Sequence, residues 1–129
     1  MGRSQREKGK RNERLAARAV ERVLGISACR TAQNTGMNGL ADIDMGARFH
    51  CEVKVRKSIA ACRYYDQALR DQKPGTVPMV LMREDRGEWM IMLKLEDIPE
   101  LIEAVNDEQR RQFEHDDPSG ATDRSDRGD

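Results

Sequence analysis

Apolar and polar positions along the chain follow helical and strand periods in turn, and they predict eight elements. Residues 12–24 and 59–73 place apolar side chains at helical spacing, and these helices end at Gly25 and Pro74-Gly75. A last helix is expected to begin near Asp97 and Pro99 and to run to about residue 105 or somewhat beyond. Strand patterns cover residues 27–33, 41–45, 49–55, 77–82 and 88–93. The predicted order is α-β-β-β-α-β-β-α in one α/β domain.

The length of 129 residues allows one modest core, which we assign to residues 12–106. Residues 1–11 are expected to form a basic N-terminal arm, either flexible or the fraying start of the first helix. Residues 107–129 are expected to form an acidic, largely disordered tail, because from residue 114 onward no apolar residue is larger than Ala. No apolar run approaches the roughly 20 residues that a membrane helix needs, and no signal-peptide core follows the N-terminus, so we expect a cytoplasmic chain without membrane contact.

Charge is divided unevenly along the chain although the net charge is zero. Residues 1–73 contain 16 Lys and Arg against 8 Asp and Glu, whereas residues 74–129 contain 7 against 15. Such asymmetry favours nucleic acid as the partner, with solvated charged faces as the alternative interpretation. The three cysteines form no CxxC pair, so we expect buried or neutral thiols and no zinc site.

The two strands at residues 41–45 and 49–55 are predicted to form a hairpin with one apolar and one charged face. If residues 46–48 are its loop, Asp42 lies opposite Glu52 and Asp44 lies opposite His50. Facing carboxylates repel unless a cation lies between them, and oxygen ligands of this kind suit Mg²⁺ or Mn²⁺. Lys54, on the same face, could stabilise charge on a phosphate. A solvent-facing hairpin with cross-strand salt bridges is the alternative.

This arrangement of Asp42, nine intervening residues and Glu52-Val53-Lys54 resembles the PD-(D/E)xK nuclease superfamily, with Ala41 where Pro often stands. More closely, it is similar to archaeal-type Holliday junction resolvases and their phage-encoded relatives. The supporting motifs are GKRNERLAARAV, ADI, CEVK, YYDQALRD and VPMVLM, in that order, and the resemblance covers about residues 6–95. It implies a restriction-endonuclease-like core with an α+β mixed sheet. It also implies a divalent-metal-dependent DNA endonuclease, acting on branched DNA as a homodimer.

The resemblance also implies roles for individual residues. Asp42 and Glu52 would hold the metal, Lys54 would assist catalysis, and Glu13, which lies on the inward edge of the first helix and needs a partner there, would complete the site. Asp44, His50 and Gln67 are second-rank candidates, as a ligand, a proton donor and a phosphate contact respectively. Expected DNA contacts are Lys8, Lys10, Arg11, Arg14, Arg56 and Lys57. Another PD-(D/E)xK nuclease, or a DNA-binding module without activity, remains an alternative.

Overall fold

A computed structural model describes residues 2–31 and 40–116 and contains a five-stranded mixed sheet between helices. Three helices flank the sheet: α1 (Arg3–Leu24), α2 (Ala61–Asp71) and α3 (Ile98–Asp116), the last preceded by a 3₁₀ turn at Leu95–Asp97. The strands are β1 (Cys29–Arg30), β2 (Ile43–Asp44), β3 (Phe49–Arg56), β4 (Val77–Glu84) and β5 (Met90–Met92). The predicted order of elements and the α+β mixed sheet are confirmed.

Spatial strand order follows the chain, β1-β2-β3-β4-β5, and every neighbouring pair is antiparallel except β3 and β4. The parallel pair requires a crossover, which α2 supplies between the two strands. Ile43 is the partner of Cys51, which is the register that the hairpin pattern predicted. The longest strands, β3 and β4, therefore lie at the centre of the sheet with a neighbour on each side.

Alternating side chains of the central strands supply two separate cores. On one face, Met79 and Leu81 pack with the apolar side of α1 and with partly buried residues of α3. On the other face, Val80 and Met82 pack against α2. The strand β3 is consequently buried on both faces, so the alternative interpretation of a solvent-facing hairpin is wrong. The reason is tertiary, since α2 covers the face that a hairpin alone would leave to solvent.

Helix ends agree with the sequence prediction at some positions and differ at others. Gly25 adopts φ 71° and its N–H donates to the Glu21 carbonyl, as expected for a left-handed cap. However, α1 begins at Arg3, so most of the predicted basic arm is helical. Residues 107–116, assigned to the tail, instead continue α3, while residues 117–129 lie outside the described residues.

The C-terminal part of α3 is held to the hairpin turn by charge. Arg48 donates to Asp107 at 2.7 Å and lies within 3.6 Å of two further carboxylates of α3, those of Glu100 and Glu103. Glu108 accepts a hydrogen bond from the Ser27 backbone N–H. These contacts explain why the helix extends beyond the point where its apolar pattern ends. No helix among the described residues is long and apolar enough to span a membrane.

Methionines on neighbouring strands provide a matched test of this packing. Met79 of β4 is fully buried and Met90 of β5 is 54% exposed. We expect Met79→Ala to lower the free energy of unfolding by about 2–5 kcal/mol, because the substitution leaves a cavity. Met90→Ala should change it by less than about 0.5 kcal/mol. Urea unfolding measures both values, and equal losses would contradict the assignment of Met79 to the core.

Candidate active site

The candidate site lies where β2 and β3 pair beneath α2. Ile43 pairs with Cys51, and the backbone N–H of Asp42, just before β2, donates to the Cys51 carbonyl, so Asp42 lies beside the strand that bears Glu52. One carboxylate oxygen of Asp42 accepts the Val53 backbone N–H at 2.8 Å, so the side chain is fixed against the strand that bears Glu52. Glu52 is only 5% exposed, although a carboxylate is costly to bury.

His50 is the polar partner of Glu52 in the structure. Its Nε2 lies 2.7 Å from Glu52 Oε2, and the histidine is 3% exposed. Because β3 alternates, His50, Glu52 and Lys54 share the face that α2 covers. His50 therefore lies on the central strand of the sheet and not at its edge.

Lys54 lies beside α2 at the open end of this face. Its Nζ is 5.9 Å from the centre of the Tyr64 ring, a distance at which a cation is attracted to the ring face. The Tyr64 hydroxyl donates to the Ser58 carbonyl at 3.4 Å, which ties the ring to the loop before α2. Gln67 is half-buried on the same helix, one turn after Tyr64.

Glu13 approaches this group from α1. Its carboxylate accepts a hydrogen bond from Arg30 Nε at 2.9 Å, and both side chains are largely buried. Burial raises the pKa of Glu13 and the charge of Glu52 raises it further, whereas Arg30 lowers it. Glu13 and Glu52 are thus close enough to interact electrostatically. Arg30 supplies the partner that the inward position of Glu13 required.

Sequence reasoning did not identify Arg30 or Tyr64. Arg30 belongs to a strand of two residues and is 17 positions from Glu13, so no local spacing links the two residues. The demand for a partner at Glu13 was the available signal, and it did not name the partner. Tyr64 packs in the apolar cluster of α2 and β4, and nothing in the local spacing indicated its contact with Lys54.

Asp44 has a structural role in the hairpin turn that differs from the roles of Asp42 and Glu52. It is exposed, and its Oδ1 accepts the Gly46 backbone N–H at 2.9 Å. This hydrogen bond stabilises the hairpin turn, a common use of an Asp side chain. Since the register has not slipped by two residues, Asp44 does not take the position of Asp42.

The basic candidates form two groups. Lys8, Arg11 and Arg14 line one shallow depression along α1, together with Glu7, which also pairs with Lys10 at 3.9 Å. In the second group, Arg56 ends β3 and Lys57 follows it, and both are exposed.

The cysteines differ in environment. Cys51 is fully buried, and burial, followed by the charges of Asp42 and Glu52, raises the pKa of its thiol far above the ordinary value. This thiol is neutral, as predicted. Cys29 and Cys62 are exposed, so Cys51 is the one buried thiol of the three.

Metal binding by this site would depend on few protein groups. Within residues 2–31 and 40–116, no three His, Cys, Asp or Glu side chains are grouped so that they could hold an ion. Asp42 and Glu52, with Glu13 nearby, are the carboxylates that could bind one. Two carboxylates fit Mg²⁺, which keeps several waters and accepts phosphate oxygens. The donor chemistry therefore fits a hard divalent cation held by two side chains.

A mixed sheet between helices, with an Asp just before β2 and a Glu-x-Lys on β3, is the arrangement expected of a PD-(D/E)xK nuclease. The chain belongs to the family described as "Phage putative PDDEXK endonuclease", whose model matches residues 4–124. This confirms the superfamily and the nuclease class, whose members act on DNA and generally use divalent metal ions.

Among solved structures, the chain is similar to that of Hjc from Archaeoglobus fulgidus, a Holliday junction resolvase from an archaeal hyperthermophile. The two chains are 21% identical, and the match covers 62% of this chain and 73% of Hjc with a TM-score of 0.45. No curated protein matches the chain.

The raised pKa of Glu13 predicts a pH dependence of stability. A carboxyl group that is easier to protonate when folded makes the protein less stable as pH rises from the ordinary Glu pKa of 4.5 through the raised native value. Glu13→Gln should remove this decline. Urea unfolding of wild type and variant between about pH 4 and pH 7 measures it, and parallel curves for the two proteins would contradict the shift.

Proposed function

We propose that the chain is a magnesium-dependent endonuclease that cleaves branched DNA, with Asp42, Glu52 and Lys54 as its central catalytic residues. The observation that carries this proposal is the pairing of β2 with β3. It sets Asp42, whose carboxylate accepts the Val53 N–H, beside the strand that carries Glu52 and Lys54. Membership of the endonuclease family supports the reaction class.

In this proposal, Asp42 and Glu52 hold Mg²⁺, and Mn²⁺ could replace it. When bound, the ion would polarise the scissile phosphate and activate a water molecule for attack. The Val53 N–H orients Asp42 toward the strand that bears Glu52. Glu13 would be the third carboxylate at the ion and would bind it directly or through a water molecule. Arg30 orients the Glu13 side chain and partly neutralises its charge.

The proposed role of Lys54 is to hold the phosphate and to stabilise the negative charge that develops on it. The Tyr64 ring lies below the ammonium group and restricts the positions available to this flexible side chain. Gln67, one turn further along α2, is proposed to contact the phosphate backbone beside it.

DNA would be bound through the basic residues of α1 and the end of β3. Lys8, Arg11 and Arg14 recur at intervals of three residues and therefore lie along one side of the helix. Arg56 and Lys57 lie just beyond Lys54 along the chain. Such contacts bind phosphates and provide little sequence preference.

Preference for a four-way junction, and action as a homodimer, are the finer parts of the proposal. They rest on the resemblance to junction resolvases. Two active sites related by a two-fold axis would suit paired cuts in a two-fold symmetric junction. Recombination and phage DNA processing are the corresponding settings.

Removal of a metal-binding carboxylate or of the catalytic lysine should greatly slow cleavage. We expect Glu52→Gln and Lys54→Ala to lower the rate at least about 100-fold, because each removes a group used in the transition state. DNA affinity should change only slightly, since the basic surface of α1 is intact. Cleavage of a labelled four-way junction with Mg²⁺ or EDTA measures the rate, and Glu88→Gln, an exposed residue between β4 and β5, is the matched control.

The same assay with duplex, nicked and flapped DNA tests the preference for a four-way junction. Symmetric nicking of the junction alone supports a resolvase, whereas equal cutting of all substrates indicates a nuclease without that preference. Binding without Mg²⁺-dependent cutting, or full activity of both variants, would contradict the proposed site.

Binding should depend strongly on salt through the basic surface of α1. Each phosphate contact adds about 0.9 to the slope of log affinity against log salt for duplex DNA. We therefore expect Lys8→Ala and Arg11→Ala each to reduce the slope by about that amount. Fluorescence anisotropy at several salt concentrations measures it, with Arg86→Gln in the β4–β5 turn as the control. An unchanged slope in the α1 variants would place the DNA elsewhere.

A further inference from the structure

His50 and Glu52 form a buried polar pair that the proposed chemistry does not yet use. They are two residues apart on β3 and are 3% and 5% exposed. The 2.7 Å separation of Nε2 and Oε2 is that of a short, charge-assisted hydrogen bond. Neither group can exchange this contact for water without opening the face beneath α2.

The direction of this hydrogen bond follows from the chemistry of the two groups. A carboxylate that binds a cation has only acceptor oxygens, so the imidazole must donate through Nε2. This holds for a neutral or a charged ring. The hydrogen bond occupies Oε2 and leaves Oε1 as the oxygen of Glu52 for a cation.

We infer that His50 is a positioning residue that fixes the Glu52 side chain for binding of the divalent ion. This inference rests on the proposed function. Asp42 is held in an analogous way by the Val53 N–H, so both carboxylates of the hairpin have one oxygen bound by a protein donor. A ligand that is already oriented loses less conformational entropy on binding, and loss of such outer partners typically weakens metal affinity 10–100-fold.

Two amide variants test the donor directly. Gln places its side-chain nitrogen about as far from the backbone as Nε2 of His, whereas the Asn nitrogen is one methylene shorter and should not reach Glu52. His50→Gln and His50→Asn therefore share their chemistry and differ in reach. If His50→Asn does not fold, His50→Thr replaces it, because its hydroxyl is also too short and Thr is favoured in strands.

The measurement is Mn²⁺ affinity of the full chain without DNA, from the electron paramagnetic resonance signal of the free ion. We expect His50→Asn to weaken affinity about 10–100-fold and His50→Gln to remain within about threefold of wild type. Cys51→Ala, a buried change on the opposite face of β3, controls for general disturbance of the strand and should leave affinity unchanged. Circular dichroism verifies the fold of each variant.

The outcomes separate this inference from the proposed function. If wild type binds Mn²⁺ and Glu52→Gln does not, but His50→Asn binds like wild type, the inference is overturned and the metal site stands. Equal losses in folded His50→Gln and His50→Asn would also overturn it, because the donor would then be irrelevant. If wild type binds no Mn²⁺, or Glu52→Gln binds it equally well, the proposed function itself fails at this site.

Discussion

The site depends on one constraint, the burial of the Glu52 carboxylate on β3, a strand that is covered on both faces. Parallel pairing with β4 places β3 inside the sheet, and α1 and α2 cover its two faces. A carboxylate there is expensive unless it is hydrogen-bonded, so Glu52 requires a donor on its own face. His50, two residues away on the same face of the strand, supplies one. The fold thus determines both the cost of the carboxylate and the location of its partner.

The same low exposure couples the carboxylates to one another. Glu13 comes from α1, yet the charge of Glu52 adds to the effect of burial in raising its pKa. Arg30 is the main group that lowers this pKa. Asp42 and Glu52 both raise the pKa of the Cys51 thiol behind them. A concentration of negative charge in a partly desolvated place is unfavourable until a cation joins it. The arrangement that costs stability in the free protein is therefore the one that favours a divalent ion.

The sequence pattern predicted what local periodicity can specify. Alternation and loop length were enough for the register of the hairpin, and the left-handed cap at Gly25 followed from residue type. Features that depend on tertiary packing could not be predicted from this pattern. The burial of His50 and Glu52 results from α2 covering β3, and the contact of Arg30 with Glu13 joins a two-residue strand to a helix. The extension of α3 to Asp116 depends on charged contacts with distant residues, which an apolar pattern does not contain.

That extension of α3 bears on the site itself. A slip of the hairpin by two residues would exchange Asp44 for Asp42 opposite Glu52, so the site requires a fixed register. The turn is held from both sides: Asp44 accepts the Gly46 N–H, and Arg48 is bound by three carboxylates of α3. One such exposed pair would contribute little, but three carboxylates around one guanidinium restrain its position together. In this way Asp107, in the part of α3 that was assigned to the tail, joins Glu100 and Glu103 in helping to keep Asp42, rather than Asp44, at the carboxylate pair.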